Sequence, residues 1–408
     1  MKKLLLMILA VSITACSSTA VRSEPEQEVR SGLEQDVRLQ NCMAKLREGQ
    51  TISVVALGGS ITTGHQAQPP ETAGWAGLVN AWLKEKALET GASVEFHNSG
   101  ASGTDSAFAS IRAADHALAY NPDLVIVEYA VNDQWLNSRV RKRSFEGLIR
   151  RLLDNSPRRA VIIIALNEKG DPQKSTSVPE VRSEQAEIGR HYKVPVLAWA
   201  DWVKASEWGN YFSGKETIHP NKEGHASIAS GIIHFMDIAW EPPQAGPVKT
   251  SMPQPLFSEE FQNVKFIGSS ETSAIVSNTG WESKPAILPD EWPSRGGKKL
   301  YGWTTSDPRA NLAIRVKGKS VGVLFAESDK FFNSLAWLED SGGNVKSAKI
   351  IIKNYASSRS GSYGYAYAEI ADNLEPSKEY ILRVGVNPGG KSGASAHIIG
   401  VLCTDRRD

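Results

Sequence analysis

From Thr51 onward, the chain repeats one alternation of apolar and polar positions. Short, β-branched runs, "ISVVAL", "SVEFHN", "LVIVEYA", "AVIIIAL" and "VPVLAW", predict five strands. Between them lie "GWAGLVNAWLKEKALE", "TDSAFASIRAADHALAY", "SFEGLIRRLLDN" and "VRSEQAEIGRHY", whose apolar residues recur three or four apart and predict amphipathic helices. Continuous apolar strands separated by helices imply a parallel sheet covered on both faces. The expected first domain is therefore an α/β three-layer unit over residues 50–240.

The pattern then breaks at "EPPQAGPVKTSMPQP", which is rich in proline and aperiodic, so residues 241–256 read as a linker. Beyond it, "NLAIRVKG", "SVGVLFAE", "SLAWLED", "SAKIIIKNY", "GYAYAEIA", "EYILRVGV" and "AHIIGVL" alternate apolar with polar residues between Gly, Asn, Asp and Ser breaks. That period predicts an antiparallel, all-β sandwich of the jelly-roll kind over residues 257–408.

At the other end, "MKKLLLMILAVSITAC" has two lysines, an apolar stretch and a small-residue ending, the zones of an export signal over residues 1–15. Ile13-Thr14-Ala15-Cys16 resembles the bacterial lipobox. That resemblance implies a diacylglycerol on Cys16 and, with Ser17 following, an outer-membrane lipoprotein facing the periplasm or the cell surface. Residues 16–49 are expected to act as a polar tether and lead-in to the folded domain. Cys42 and Cys403 then remain, either bridged or as two buried thiols.

Composition narrows the partners. With 408 residues, 41% of them hydrophobic, the chain can fill two cores, and a net charge of +1 argues against a nucleic-acid surface. One basic run, "RVRKRSFEGLIRR", has apolar residues at helical spacing and is expected to be a solvated helix face.

Candidate chemistry gathers behind the strands. Ser60 follows the first strand in "LGGSITTG", where Gly58 and Gly59 permit a tight turn that leaves a hydroxyl uncovered. In open α/β sheets, ligands collect outside the carboxyl ends of the strands. The second strand runs into "NSGASGTDS", with Asn98, Gly100 and Gly103 before a helix start; the third runs into "AVNDQ", with Asn132. After the fifth comes "ETIHPNKEGH", in which Glu216 precedes His219 by three residues. An imidazole titrating near pH 6.5 can take a proton from a serine and return it.

These four blocks, in this order, resemble the SGNH hydrolases, or GDSL esterase superfamily, over residues 50–235. The resemblance implies a flavodoxin-like parallel sheet, Ser60 as nucleophile, His219 as base and Glu216 orienting it. It also implies an oxyanion hole made by the backbone N–H groups of Ser60 and Gly103 and the Asn132 side chain. Three positions depart from the family pattern: Gly59 and Glu216 stand where aspartate is usual, and Ala130 where glycine is usual. Asp133 is expected to tie its loop together rather than react.

For a substrate, no long apolar lid or acyl tunnel is evident. Trp135, Trp208 and Tyr211 flank the site-bearing blocks and could offer flat faces to sugar C–H groups, as could Trp202. The expectation is a serine esterase that removes short acyl groups, acetyl first, from a carbohydrate. No cofactor or metal is expected, and the membrane enters only through the lipid anchor. An O-acyltransferase acting on envelope glycans, or a non-catalytic glycan-binding lipoprotein, would use the same frame. The C-terminal domain loosely resembles jelly rolls that accompany such esterases, although there they usually precede the catalytic domain.

Overall fold

The computed structural model describes residues 37–154, 156, 158–170, 178–241, 251–295, 298–356, 363–387 and 395–404. The five expected strands are β1 (Ile52–Gly58), β2 (Val94–Gly100), β3 (Leu124–Glu128), β4 (Ala160–Ala165) and β5 (Val196–Ala198). They form one parallel sheet in the order β2-β1-β3-β4-β5. Every residue of β1, β3 and β4 is buried, as the mostly apolar composition of these central strands requires, with Ser53 and Glu128 the polar exceptions.

Among the described residues, six longer helices cover this sheet: α1 (Val37–Arg47), α2 (Trp75–Thr90), α3 (Ser106–His116), α4 (Ser138–Leu153), α5 (Val178–Tyr192) and α6 (Lys222–Trp240). Successive strand residues point to opposite faces, and the core divides accordingly. Val54, Ala56, Ile126 and Ile162 pack with α1, α2 and α6, whereas Val55, Leu57, Val127 and Ile163 pack with α3, α4 and α5. The result is the expected three layers.

The domain starts earlier than its strand pattern implied. Leu39, Cys42, Met43 and Leu46 of α1 recur at i, i+3, i+4 and i+7 and are all buried in the α2/α6 core. Residues 37–47 are thus part of the first domain rather than tether. The expected signal segment, Cys16 and residues 17–36 lie outside the described residues. So do residues 242–250 of the expected linker. Its far end is docked: Met252, Leu256 and Phe257 pack on the α3/α4/α5 side, and the Glu146 carboxylate accepts the backbone N–H groups of Leu256, Phe257 and Ser258 at 2.5–2.7 Å.

The second domain is two antiparallel sheets face to face. Its strands are β6 (Val264–Ile267), β7 (Ile275–Thr279), β8 (Glu282–Pro285), β9 (Tyr301–Thr305), β10 (Asn311–Val316) and β11 (Ser320–Glu327). They continue with β12 (Asn333–Asp340), β13 (Ile350–Ile352), β14 (Gly364–Ala371), β15 (Tyr380–Asn387) and β16 (Ala396–Thr404). One sheet has the order β13-β12-β15-β10-β7; the other has β14-β11-β16-β9-β8, with β6 pairing the far end of β16. The seven runs read from alternation are β10–β16. By contrast β7 and β8 are almost wholly exposed, so they bury no face that could leave a period-two signature.

Between the sheets lies a core that includes Leu312, Ile314, Val323, Phe325, Leu338, Leu382 and Val384. β16 is buried throughout because its other face, with that of β11, meets the first domain: Leu324, Ala326, Ile399 and Leu402 pack with Ala107, Phe108 and Val140. Cys42 and Cys403 sit in separate cores and form no disulfide.

The basic run lies on α4, and it is not a solvated face. Arg141, Arg143 and Arg150 are all buried. Arg143 pairs with Glu260 and with Glu369, the latter at 2.7 Å, while Arg150 donates to Gln262 Oε1 at 2.9 Å. The guanidinium groups are carried inward because carboxylates and amides of the second domain take the place of water. Arg141 instead pairs within the first domain, with Glu184 at 2.6 Å.

Because α1 carries core residues, Leu39→Ala is expected to destabilise the protein by about 2–5 kcal/mol. A comparable loss is expected for Met43→Ala, both read as a shift of the urea unfolding midpoint. A tether residue would show no shift.

Candidate active site

Ser60 begins a four-residue helical turn, Ser60–Thr63, directly after β1. The turn is clamped from beneath by Glu128, the last residue of β3, whose Oε2 accepts the Thr62 hydroxyl at 3.0 Å and the Gly59 N–H at 3.3 Å. Burial pushes the Glu128 carboxyl up to about 7, although both donors pull the other way. From the β2 side, Asn98 donates its amide to the Thr62 carbonyl at 2.9 Å, and the Ala101 N–H donates to the Gly58 carbonyl at 2.9 Å. Three strand ends therefore meet under one serine.

Ser60 Oγ lies 2.9 Å from His219 Nε2. For that hydroxyl to donate, the neutral imidazole must carry its proton on Nδ1, the side facing Glu216. Glu216 Oε1 stands 3.4 Å from Nδ1, an ion-pair distance without hydrogen-bond alignment, and Nδ1 makes no hydrogen bond among the described residues. The same Oε1 accepts the backbone N–H groups of Thr217, Ile218 and His219 at 2.8–3.2 Å. Burial opposes ionisation of Glu216, but the Ile218 and His219 donors and the imidazole hold its carboxyl below the usual range.

A second imidazole borders the first. The His65 ring lies with its centroid 4.2 Å from that of His219, tilted by 53°. Burial lowers the His219 pKa, repulsion from His65 lowers it further, and Glu216 raises it in part. Beneath both, His225 on α6 accepts the Trp75 N–H at Nδ1, 3.2 Å away, and donates from Nε2 to the His65 carbonyl at 3.0 Å. Burial drives the His225 pKa down to about 4, so this ring stays neutral and ties the His65 carbonyl and the start of α2 to α6.

The remaining block residues converge on the same rim. The Asn132 amide lies against Gly59, where a Cβ would come within 2.3 Å of Asn132 Nδ2, so a side chain at this position would have to displace that amide. Asn132 Nδ2 donates to the Thr104 carbonyl at 2.7 Å, which brings the third block onto the Gly103 loop. Gly103 has φ +73°, a left-handed conformation that glycine adopts without strain. Asp133 is buried and accepts the Ser106 N–H at 2.8 Å, tying its loop to α3.

The aromatic expectations divide. Trp135 follows Asn132 and is 78% exposed. Trp208 is only 5% exposed, packed on Trp199 and Phe212 with its indole N–H on the Lys169 carbonyl, so it is core and not a substrate face. Tyr211 and Trp202 are half-buried against the same core. Glu128, His65 and His225 escaped the sequence reading, although an acid closing the apolar run "LVIVE" and a histidine six residues after His219 are visible in it.

Residues 56–227 match the GDSL-like lipase/acylhydrolase family. Among solved structures, the chain is similar to a two-domain esterase active on acetylated mannans, with TM-score 0.76 and 21% identity, covering 91% of this chain and 95% of that one. The same esterase co-crystallised with mannopentaose gives TM-score 0.74 at the same identity and coverage. At that identity the likeness is one of fold, and it extends through both domains. No curated protein is matched.

The electrostatics of His219 can be read directly. In an NMR titration its imidazole is expected to titrate below the usual value of about 6.5. His65→Gln removes a like charge and moves the midpoint up, whereas Glu216→Gln removes the counter-charge and moves it down. Opposite signs from the two substitutions are the expected outcome.

Proposed function

Taking as premise that the first domain belongs to the SGNH hydrolase superfamily, we propose that the protein is a serine esterase that removes short acyl groups, acetyl first, from a carbohydrate. The observation that carries this reading is the 2.9 Å contact between Ser60 Oγ and His219 Nε2 at the carboxyl edge of the parallel sheet.

In this scheme His219 takes the Ser60 proton as Oγ attacks the ester carbonyl. The tetrahedral oxyanion is held by the Ser60 and Gly103 N–H groups and by the Asn132 amide, donors that strengthen as charge develops. His219 then protonates the departing sugar alcohol, leaving an acyl-serine. A water molecule, deprotonated by the same imidazole, attacks the acyl carbon and releases the carboxylic acid. Glu216 stabilises the imidazolium through its charge at 3.4 Å.

A carbohydrate as leaving group is supported by the exposed indole of Trp135 beside Asn132, since an apolar ring in water offers a face for sugar C–H groups. Acetylated mannan is the first polymer to try, because the two-domain esterase that shares this fold acts on it. The N-terminal motif ending at Cys16 supports an exported, lipid-anchored protein that meets its substrate outside the cytoplasm.

The test is acetate release from acetylated glycans by protein lacking residues 1–16. Ser60→Ala is expected to abolish turnover with folding intact. His219→Ala should cost at least about a thousandfold in kcat, and Glu216→Ala less, on the order of ten- to a hundredfold. Equal rates for wild type and Ser60→Ala would overturn the reading.

A further inference from the structure

The loop Ala101–Thr104 carries the Gly103 N–H, and its two ends are held by the first domain. At one end the Ala101 N–H donates to the Gly58 carbonyl; at the other, Asn132 Nδ2 donates to the Thr104 carbonyl. Its outer corner, Ser102–Gly103, is held from the second domain. Glu291 Oε1 accepts the Ser102 hydroxyl at 2.6 Å, and Oε2 faces the Ser102 N–H at 3.4 Å. The Tyr365 ring borders the same corner: a Cβ built on Gly103 would sit 3.4 Å from its Cδ2.

The Gly103 N–H belongs to the peptide plane between these two anchors. Holding Ser102 by its N–H and hydroxyl constrains the direction of that plane, with the Tyr365 ring beside it. Gly103 at φ +73° has no side chain of its own to do so. The neighbouring residue makes Glu291 a rigid support: Trp292 is buried, edge-on to Phe108 of α3 at 5.7 Å and 4.5 Å from the His116 ring, with its indole N–H on the Lys298 carbonyl.

We propose that Glu291 is a positioning residue for catalysis, through which the second domain aims the Gly103 N–H at the developing oxyanion. This rests on the esterase reading and assigns the β-sandwich a part in the chemistry itself. A donor directed at the transition state, and less at the bound ester, must be correctly placed before reaction occurs. Misplacing it lowers kcat far more than it changes KM.

A chromogenic aryl acetate serves as probe, since it reports acyl transfer without any glycan contact. Glu291→Ala is expected to lower kcat roughly ten- to a hundredfold with KM changed less than about threefold. Inhibition by a small boronic acid, which forms a tetrahedral adduct with the serine, should weaken in parallel with kcat. Glu291→Gln keeps an oxygen for the Ser102 hydroxyl and should recover much of the rate.

Ser102→Ala should show the same kind of loss, smaller in size. Combined with Glu291→Ala it should add almost nothing, because the two act through one contact. Unchanged kcat in Glu291→Ala would overturn the proposal, as would a loss that leaves boronate inhibition intact or that adds fully to Ser102→Ala. An inactive wild type would instead refute the esterase reading, so the two failures are distinguishable.

Discussion

A single buried guanidinium holds the floor of the candidate site. Arg112, on an otherwise small and apolar turn of α3, is 1% exposed. It donates to the Gly58 carbonyl at 2.8 Å, to the Ser99 carbonyl at 2.7 Å and to the Tyr129 hydroxyl at 2.7 Å. Those three groups lie at the ends of β1, β2 and β3, each just before a block that carries site residues. A charge so deep is costly unless it is hydrogen-bonded, and here both terminal nitrogens of the guanidinium find acceptors at the strand ends, while Nε makes no hydrogen bond among the described residues. Burial raises the Tyr129 pKa to about 12, and Arg112 opposes that rise, so the hydroxyl remains a neutral acceptor for the guanidinium.

On this floor the two halves of the chain are less separable than a linker between them implies. The first domain lends α4 to an interface in which Arg143 and Arg150 meet Glu260, Glu369 and Gln262. Phe108 of α3 meets Trp292 and Tyr365 in the same interface. α3 therefore touches the strand ends through Arg112 and the sandwich through Phe108, within one helical turn. The loop that precedes α3 thus lies between a helix held by both domains and the Glu291 carboxylate of the second.

How much of this was legible follows from what each signal reports. β1, β3 and β4 are buried on both faces, so their apolar runs announced themselves, and the four blocks behind the strands were found because short motifs survive without context. α1 was missed although Leu39, Cys42, Met43 and Leu46 keep a perfect helical stripe, because it follows a long polar stretch that set the expectation of a tether. The arginines of α4 were placed in solvent because a sequence shows charge without showing the carboxylates that will face it. Trp208 and Trp135 look alike in one dimension; only packing separates a ring on Trp199 from one that is 78% exposed.

The longer acid in the histidine loop shows a compromise of the same kind. With one methylene more than aspartate, Glu216 folds back so that Oε1 collects three consecutive backbone N–H groups of its own loop. Those donors hold the carboxylate ionised and rigid, but they also consume the directions from which Nδ1 would be approached in line. What remains is charge at 3.4 Å without a directed bond. The contacts left to the ring are the Ser60 hydroxyl on one side and the tilted His65 ring on another, and the His65 carbonyl is in turn tied to α6 by the neutral imidazole of His225. Where an aspartate could both face the ring and bond it, this loop offers a carboxylate that supplies charge, while the ring's neighbours are the Ser60 hydroxyl and the His65 ring.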